Sequence, residues 1–349
     1  MSFPDTRPSH DDIDGIPPPA ATPFLFGHTR AWQELVEASR SDRMHHAWLL
    51  QGPRGIGKAT LAFAFARHLV GARWTRQVER SASFDVEDPV LRQIASGAHP
   101  NVIHIQRGEA DRGGGFKTQI TVDEIRRLQG FFRATATPGW RVAILDPADD
   151  LNRNAANALL KILEEPPARS VFLITNHAPG RLLPTIRSRC RTLRIASLTS
   201  AALPAATRQL MPEAGGEDAN AVAALARGSV RQALVLLQGG GVDVLREADR
   251  ILDARQADWQ AVHGLLDGLQ QKGREAAFEL FRDRLFDRLA EEATAAVEQG
   301  RARDGALLAA FSVAEQARSR EAAAYNLDRK QTILSFLDRY LALRAGATI

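Results

Sequence analysis

Between about Phe24 and Ile195, short apolar runs alternate with stretches whose apolar residues recur at helical spacing. The strand candidates are Trp48–Gln51, Val102–Gln106, Arg141–Leu145, Val171–Thr175 and Thr192–Ile195, each bounded by turn or polar residues. Helix candidates include Ala31–Ser41, Lys58–Val70, Thr121–Ala134 and Arg153–Glu164. Strand and helix in alternation predict an α/β domain, a parallel sheet with flanking helices. From about Leu198 the strand signal ends and Ala/Leu-rich helical stretches run to Gln238. Gly239-Gly240-Gly241 breaks that pattern, and a second helical block follows from about Val242 to Ala345. The expected divisions are 1–23, 24–196, 197–241 and 242–349.

A length of 349 residues suits two or three domains. With 44% hydrophobic and 25% charged residues, the composition is that of an ordinary soluble globular protein. The net charge of +4 would suit work near nucleic acid but decides nothing alone. The basic residues are nearly all Arg, with Lys only at 58, 117, 161, 272 and 330. A GC-rich bacterial genome is the plainer source of that bias. A single cysteine, Cys190, excludes an internal disulfide and any multi-cysteine zinc site, and fits a reducing cytoplasm. No apolar run approaches the ~20 residues of a membrane span, and the N-terminus has no apolar signal core. Its Pro and Asp content predicts a flexible acidic leader outside the fold over 1–23.

The first chemical signal is QGPRGIGKAT, Gln51 to Thr60, set between an apolar strand and a helix. Gly52, Gly55 and Gly57 let the backbone turn tightly, so that N–H groups converge on phosphate oxygens. Lys58 adds a charge for the β and γ phosphates, and the helix N-terminus adds its dipole. The residue after the lysine is Ala59, where a magnesium-holding Ser or Thr is usual. Thr60 lies one residue on, about 100° round the helix, and does not simply replace it. The other reading is a glycine-rich turn with no ligand.

The strand Arg141–Leu145 runs into Asp146-Pro147-Ala148-Asp149-Asp150. A carboxylate at the end of an apolar strand is where P-loop proteins orient magnesium water, and Asp146 fits that place. Pro147 stands next to it and offers neither a base nor a backbone donor. Asp149 and Asp150 read best as N-terminal charge and capping for the following helix. Ala59 and Pro147 both weaken hydrolysis, so the site reads as one that holds ATP or ADP better than it cleaves it.

Downstream, Asn157-Ala158-Leu159-Leu160-Lys161-Ile162-Leu163-Glu164-Glu165-Pro166-Pro167 and Ser188-Arg189-Cys190 follow in order. This run resembles the AAA+ clamp-loader subunits of bacterial DNA polymerase III. The resemblance covers roughly Phe26 to Gln238 by motif and the last hundred residues by helical character alone. It implies an α/β AAA+ P-loop domain over 24–196, a small helical lid over 197–241 and an all-α collar domain over 242–349.

By position, it implies that Arg189 is an arginine finger reaching a neighbouring subunit's nucleotide, with Ser188 and Cys190 shaping its loop. Asn176, after Thr175, would be the first sensor, and Arg231, in Gly228-Ser229-Val230-Arg231, the second. An ordinary basic surface at Arg187, Arg189, Arg191 and Arg194 is the competing reading. A retained finger beside a decayed site is most similar to the delta-prime, or stator, branch. Its partners would be gamma/tau and delta subunits in a hetero-pentameric ring, with the sliding clamp and primer-template DNA reached through the complex. Motors and many stators carry zinc cysteines where 71–99 here has none, so zinc is expected absent and that segment's shape is open. Magnesium is left undecided, no membrane partner is expected, and a cytoplasmic place follows. An autonomous AAA+ ATPase or motor subunit, and a P-loop kinase, are the rival classes. Arg126, Arg127 and Arg133 read as solvated helix charge before DNA contacts. The segment Glu321–Leu343 reads either as collar core or as a subunit interface.

Overall fold

The computed structural model describes residues 6 and 8–344, apart from 42–43, 76–80, 111–114, 135–137, 179, 181, 213–221, 224, 239–240, 255–257, 272–273 and 326. The first two glycines of the 239–241 run lie outside the described residues. Two compact units are present, Met1–Leu234 and Val235–Ile349.

In the first unit a five-stranded parallel sheet has the order β4-β5-β6-β2-β7. Its strands are β2 (Ala47–Gln51), β4 (Val102–Ile105), β5 (Arg141–Leu145), β6 (Ser170–Asn176) and β7 (Arg191–Arg194). Side chains alternate between the two faces, as the strand period of two requires. Trp48, Leu50, Val142, Ile144, Val171 and Leu173 enter one core with helices α1 (Thr29–Arg40) and α2 (Lys58–Leu69). Ala47, Leu49, Ala143, Leu145, Phe172 and Ile174 enter the other, with α4 (Val122–Arg133) and α5 (Arg153–Glu164). Helices on both faces of a parallel sheet, with a phosphate loop between β2 and α2, are the expected AAA+ P-loop architecture.

The helix ends have local causes. A capping box of Thr121 and Glu124 starts α4. The buried Arg141 guanidinium caps its far end, donating to the carbonyls of Phe131 and, at 2.9 Å, Phe132. Asn152 starts α5 by accepting from the Ala155 amide at 2.8 Å.

Two elements escaped the hydrophobic pattern because each is only two residues long. These are β1 (Phe24–Leu25) and β3 (Ala82–Ser83), paired antiparallel. Beside them the described part of the 71–99 segment is held by an aromatic cluster and an aspartate. The Trp74 ring lies 5.2 Å from Trp32, 5.3 Å from His68 and 4.9 Å from Phe84. Asp88 accepts from the amides of Arg73 at 2.5 Å and Val90 at 2.9 Å, capping α3 (Pro89–Ala95).

The segment read as a leader outside the fold is packed against it in its described part. Arg67 of α2 is fully buried, and its guanidinium donates to the carbonyls of Ala20 and, at 2.6 Å, Thr22. Burial lowers its pKa to about 9. A buried arginine requires acceptors, and the Pro-rich stretch supplies them from its backbone.

The second unit is all helical, with Gly241–Asp253, Trp259–Leu269, Glu275–Glu298, Ala302–Ala324 and Arg329–Arg344. Leu266, Phe281, Leu285, Leu289, Leu337 and Tyr340 lie in its core. The Tyr340 hydroxyl donates to the Glu292 carboxylate at 2.8 Å, and burial raises its pKa. The Glu321–Leu343 run, read as collar core or as a subunit interface, breaks near Tyr325. Ile333, Phe336, Leu337 and Tyr340 then turn into the core, while Tyr325 and Leu327 stay exposed. Core use therefore accounts for the second half of that run.

Candidate functional site

The ends of β2, β5 and β6 meet at the carboxyl edge of the sheet, where α/β folds bind ligands. Gln51 pairs with Asn176 and with Arg194 in register, and the Gly52 amide donates to the Asn176 carbonyl at 3.2 Å. The phosphate loop leaves β2 there and enters α2 at Lys58. Gly55 and Gly57 have φ of +78° and +102°, a region that favours glycine. A Cβ on Gly55 would fall 2.4 Å from Ser229 Oγ and 2.7 Å from Arg231 Cβ. The Ser229–Arg231 segment thus rests on the loop, with the Arg231 amide donating to the Gly55 carbonyl at 3.1 Å. Ser229 Oγ also accepts from the Gln232 amide at 3.2 Å, capping the helix Val230–Leu237.

Lys58 is buried and turned onto its own loop, donating to Gly52 O at 2.7 Å and to Pro53 O. Burial lowers its pKa to about 8, against the opposing pull of Asp146 and Asp149. The backbone turn, the lysine and the helix N-terminus fit a phosphate, which would take over the lysine from those two carbonyls. Magnesium fits less well. Ala59 presents no hydroxyl, Thr60 is half-buried on the same first turn of α2, and Asp146 is engaged. Its carboxylate accepts from the Thr175 hydroxyl, and burial pushes its pKa up to about 6. Among the described residues no group of three His, Cys, Asp or Glu side chains is placed to hold a metal ion.

Two assignments from the sequence are corrected at this edge. Asp149 does not cap α5. Its carboxylate accepts from Asn176 Nδ2 at 3.1 Å and from the amides of His177 and Ala178 at 2.7 Å each, closing the turn after β6. Asp150 instead pairs with Arg107 at 2.6 Å and faces His10 at 3.7 Å, leaving Asn152 to cap the helix. Asn176 is fully buried and tied on both sides, since its Oδ1 also accepts from Gln51 Nε2 at 3.1 Å. It therefore links the ends of two strands as well as facing the loop's edge.

Three contributors were missed: Asp11, Arg54 and His28. The His28 ring sits 2.7 Å from the Ile56 carbonyl, through Nε2. Asp11 lies between two guanidiniums, bonded to Arg54 and 3.3 Å from Arg231, whose other nitrogen donates to the Asp11 carbonyl. Burial pushes the Asp11 carboxyl up, but Arg54 and Arg231 outweigh it and hold the group well below the usual carboxylate range. One available signal was Arg67, a charge amid LAFAFARHL that demanded a covering segment with acceptors.

Arg189 is placed apart from these groups. It follows the four-residue helix α6 (Pro184–Arg187) and donates to the Thr185 carbonyl at 2.9 Å. It pairs with Glu164, the last residue of α5, at 2.6 Å, and its side chain is 34% exposed. Its neighbour Cys190 packs on the core below, where burial pushes the thiol up to about 12. Arg191 is held separately, paired with Glu34 at 2.8 Å and lying over the Trp48 ring. The structure thus brings Gly52, Gly55, Gly57, Lys58, Asp146, Asn176 and Arg231 to one edge, and leaves Arg189 on another surface.

Comparison with known proteins agrees with this geometry. The family described as DNA polymerase III, delta subunit, matches residues 27–199. The delta-prime subunit of DNA polymerase III from Pseudomonas aeruginosa is 41% identical over 162 residues, 46% of this chain and 46% of that protein. The tau subunit from Bacillus subtilis is 28% identical over 276 residues, 75% of this chain and 45% of that protein. The chain thus spans less than half the length of these relatives. Among solved structures, a gamma-subunit-related protein and the RuvB Holliday junction branch migration motor, both from Thermotoga maritima, are 16% identical with TM-scores of 0.43. They cover 88% and 94% of this chain, and 98% and 92% of their own. The strand order and the loop, not that likeness, carry the fold. Residues 27–199 thus match the DNA polymerase III, delta subunit, family, and delta-prime subunits stand among the chain's relatives.

Proposed function

We propose that the chain is the delta-prime, or stator, subunit of a bacterial DNA polymerase III clamp loader, and that Arg189 acts on the ATP of a neighbouring motor subunit. The observation that carries this reading is the separation of the two arginine-bearing sites. Arg189 is part-exposed and bound to Glu164, away from its own chain's phosphate loop. That loop is poorly equipped for hydrolysis, with Ala59 and Pro147 at two catalytic positions and Asp146 engaged by Thr175. A guanidinium supplied from outside stabilises the charge on a γ-phosphoryl in flight.

The partners would be gamma/tau and delta subunits in a hetero-pentameric ring, with the sliding clamp and primer-template DNA engaged through the assembly. A cytoplasmic place accords with that role, and no helix among the described residues is long and apolar enough to cross a membrane. At the chain's own site, Gly52, Gly55, Gly57 and Lys58 would hold ATP or ADP, with Asn176 and Arg231 as sensors and Thr60 and Asp146 at the margin. Its own turnover would be weak or absent.

Reconstituting the loader with Arg189→Ala tests the reading. Hydrolysis at the neighbouring site should fall by ~10³ or more, the scale of a lost arginine finger. An unchanged DNA-stimulated rate refutes the assignment. The intact turn of the phosphate loop favours a second reading, an autonomous AAA+ ATPase. Steady ATP turnover by the purified chain would establish that instead.

A further inference from the structure

Residues 8–12 cross the carboxyl edge of the sheet and are fixed at several points around the phosphate loop. The Pro8 carbonyl accepts from Gln106 Nε2, just after β4, at 3.0 Å. His10 lies 3.7 Å from Asp150, after β5, and meets the Phe116 ring edge-on at 6.2 Å. Ser9 and Asp12 close a turn, the Ser9 amide donating to Asp12 Oδ2 at 2.7 Å and the Asp12 amide to Ser9 O at 3.2 Å. Asp11 projects from that turn onto Arg54 of the phosphate loop and Arg231 of the lid.

Three features make this more than a surface ion pair. Asp11 engages Arg231 through both its carboxylate and its carbonyl, so backbone and side chain are committed together. The two guanidiniums come from different elements, one on the loop and one on the helix that leans on it. Lys58, whose charge a phosphate would take, is satisfied by Gly52 O and Pro53 O. An anion already sits where the loop and lid cations converge, and it belongs to the chain.

We propose that residues 8–12 are an intramolecular plug in which Asp11 occupies the place of a nucleotide's phosphates between Arg54 and Arg231. The inference rests on reading the loop as a nucleotide site. Its ligand class is a nucleoside di- or triphosphate, which enters only when the segment leaves. The apparent affinity is then the intrinsic affinity scaled by the fraction of unplugged molecules. Removing the Asp11 carboxylate raises that fraction.

The test uses the purified full chain, with magnesium-ADP binding followed by calorimetry and amide hydrogen exchange followed by mass spectrometry. Asp11→Ala should bind at least about tenfold more tightly than the parent, as expected when a competent state populated at ~10% or less is released. Asp11→Glu, which keeps the charge, should stay close to the parent. Exchange across residues 8–16 should quicken in Asp11→Ala, and Lys58→Ala placed on top should erase the gain in affinity. Unchanged exchange, or quickened exchange with no gain in affinity, overturns the plug. Loss of the Arg189 effect in the reconstituted loader would instead strike the functional reading, and it is measured without reference to Asp11.

Discussion

Arg189 and Arg231 are both bound by carboxylates of their own chain, and the contrast between them shows how one fold can use the same side chain in two ways. Arg231 is mostly covered and bonded to both side chain and backbone of Asp11, within a cluster that includes Arg54 and Lys58. Arg189 is one-third exposed, with one carboxylate partner and one carbonyl. An exposed pair of that kind contributes little to stability, ~0–1 kcal/mol, so exchanging Glu164 for an outside anion costs little. Releasing Arg231 requires several interactions to break together. The difference between the two environments leaves Arg189 the more readily released of the two and Arg231 the more firmly held.

The largest effect expected from breaking that contrast is in the assembled loader. Arg189→Lys keeps a charge but loses the planar fork, so it should fail to rescue hydrolysis at the neighbouring site, leaving a loss close to that of Arg189→Ala. A rate near the parent's would mean that simple charge suffices at that surface. The covered end is challenged next by Arg67→Met, which keeps the stem and removes the donors to Ala20 and Thr22. Urea unfolding should show a loss of about 2 kcal/mol, the scale of buried acceptors left unpaired. If stability holds, the Pro-rich segment is not anchored by Arg67.

Smaller in effect is the pH dependence set by Asp146. Its folded carboxyl keeps a proton up to about pH 6, while the unfolded one releases it near 3.8. Folding therefore takes up a proton between those values. The contribution is most favourable below the lower value and is lost as pH rises through the higher one. Asp146→Asn should flatten the fall in urea midpoint between pH 4 and 6, and a parent profile without that fall would deny the burial of this edge. The smallest effect belongs to Cys190, beside the exposed arginine. With its thiol pushed up to about 12, alkylation by iodoacetamide at pH 8 should be slow in the native chain and rapid in urea. Fast native alkylation would mean that Cys190 is as open as the arginine beside it.

Much of this was legible in the chain itself. The five strands of the sheet stand within a residue or two of the apolar runs, because β2, β5 and β6 are buried on both faces and all five are bounded by polar residues. The phosphate loop could be found from Gly52, Gly57 and Lys58, since a strand, a tight turn and a helix in that order leave few alternatives. Asp149 was misplaced because an acidic residue just before a helix resembles a cap. Its true partners, the amides of His177 and Ala178, come from the turn after β6, distant in sequence. The segment from Pro8 to Pro23 was misread for a related reason. Composition reports how much apolar surface a stretch can bury, and says nothing of backbone carbonyls required by a buried arginine elsewhere.

The helix from Arg153 to Glu164 gives these details a common scale. It begins at Asn152, two residues beyond the Asp150 that holds Arg107, and its last residue is the partner of Arg189. Twelve residues at helical rise make a rod of about 18 Å. A rod does not stretch, so a tilt at the strand-β5 end is delivered at the other as a change of aim. The carboxylate that holds Arg189 is thereby placed by how the rod is seated at the far edge of the sheet.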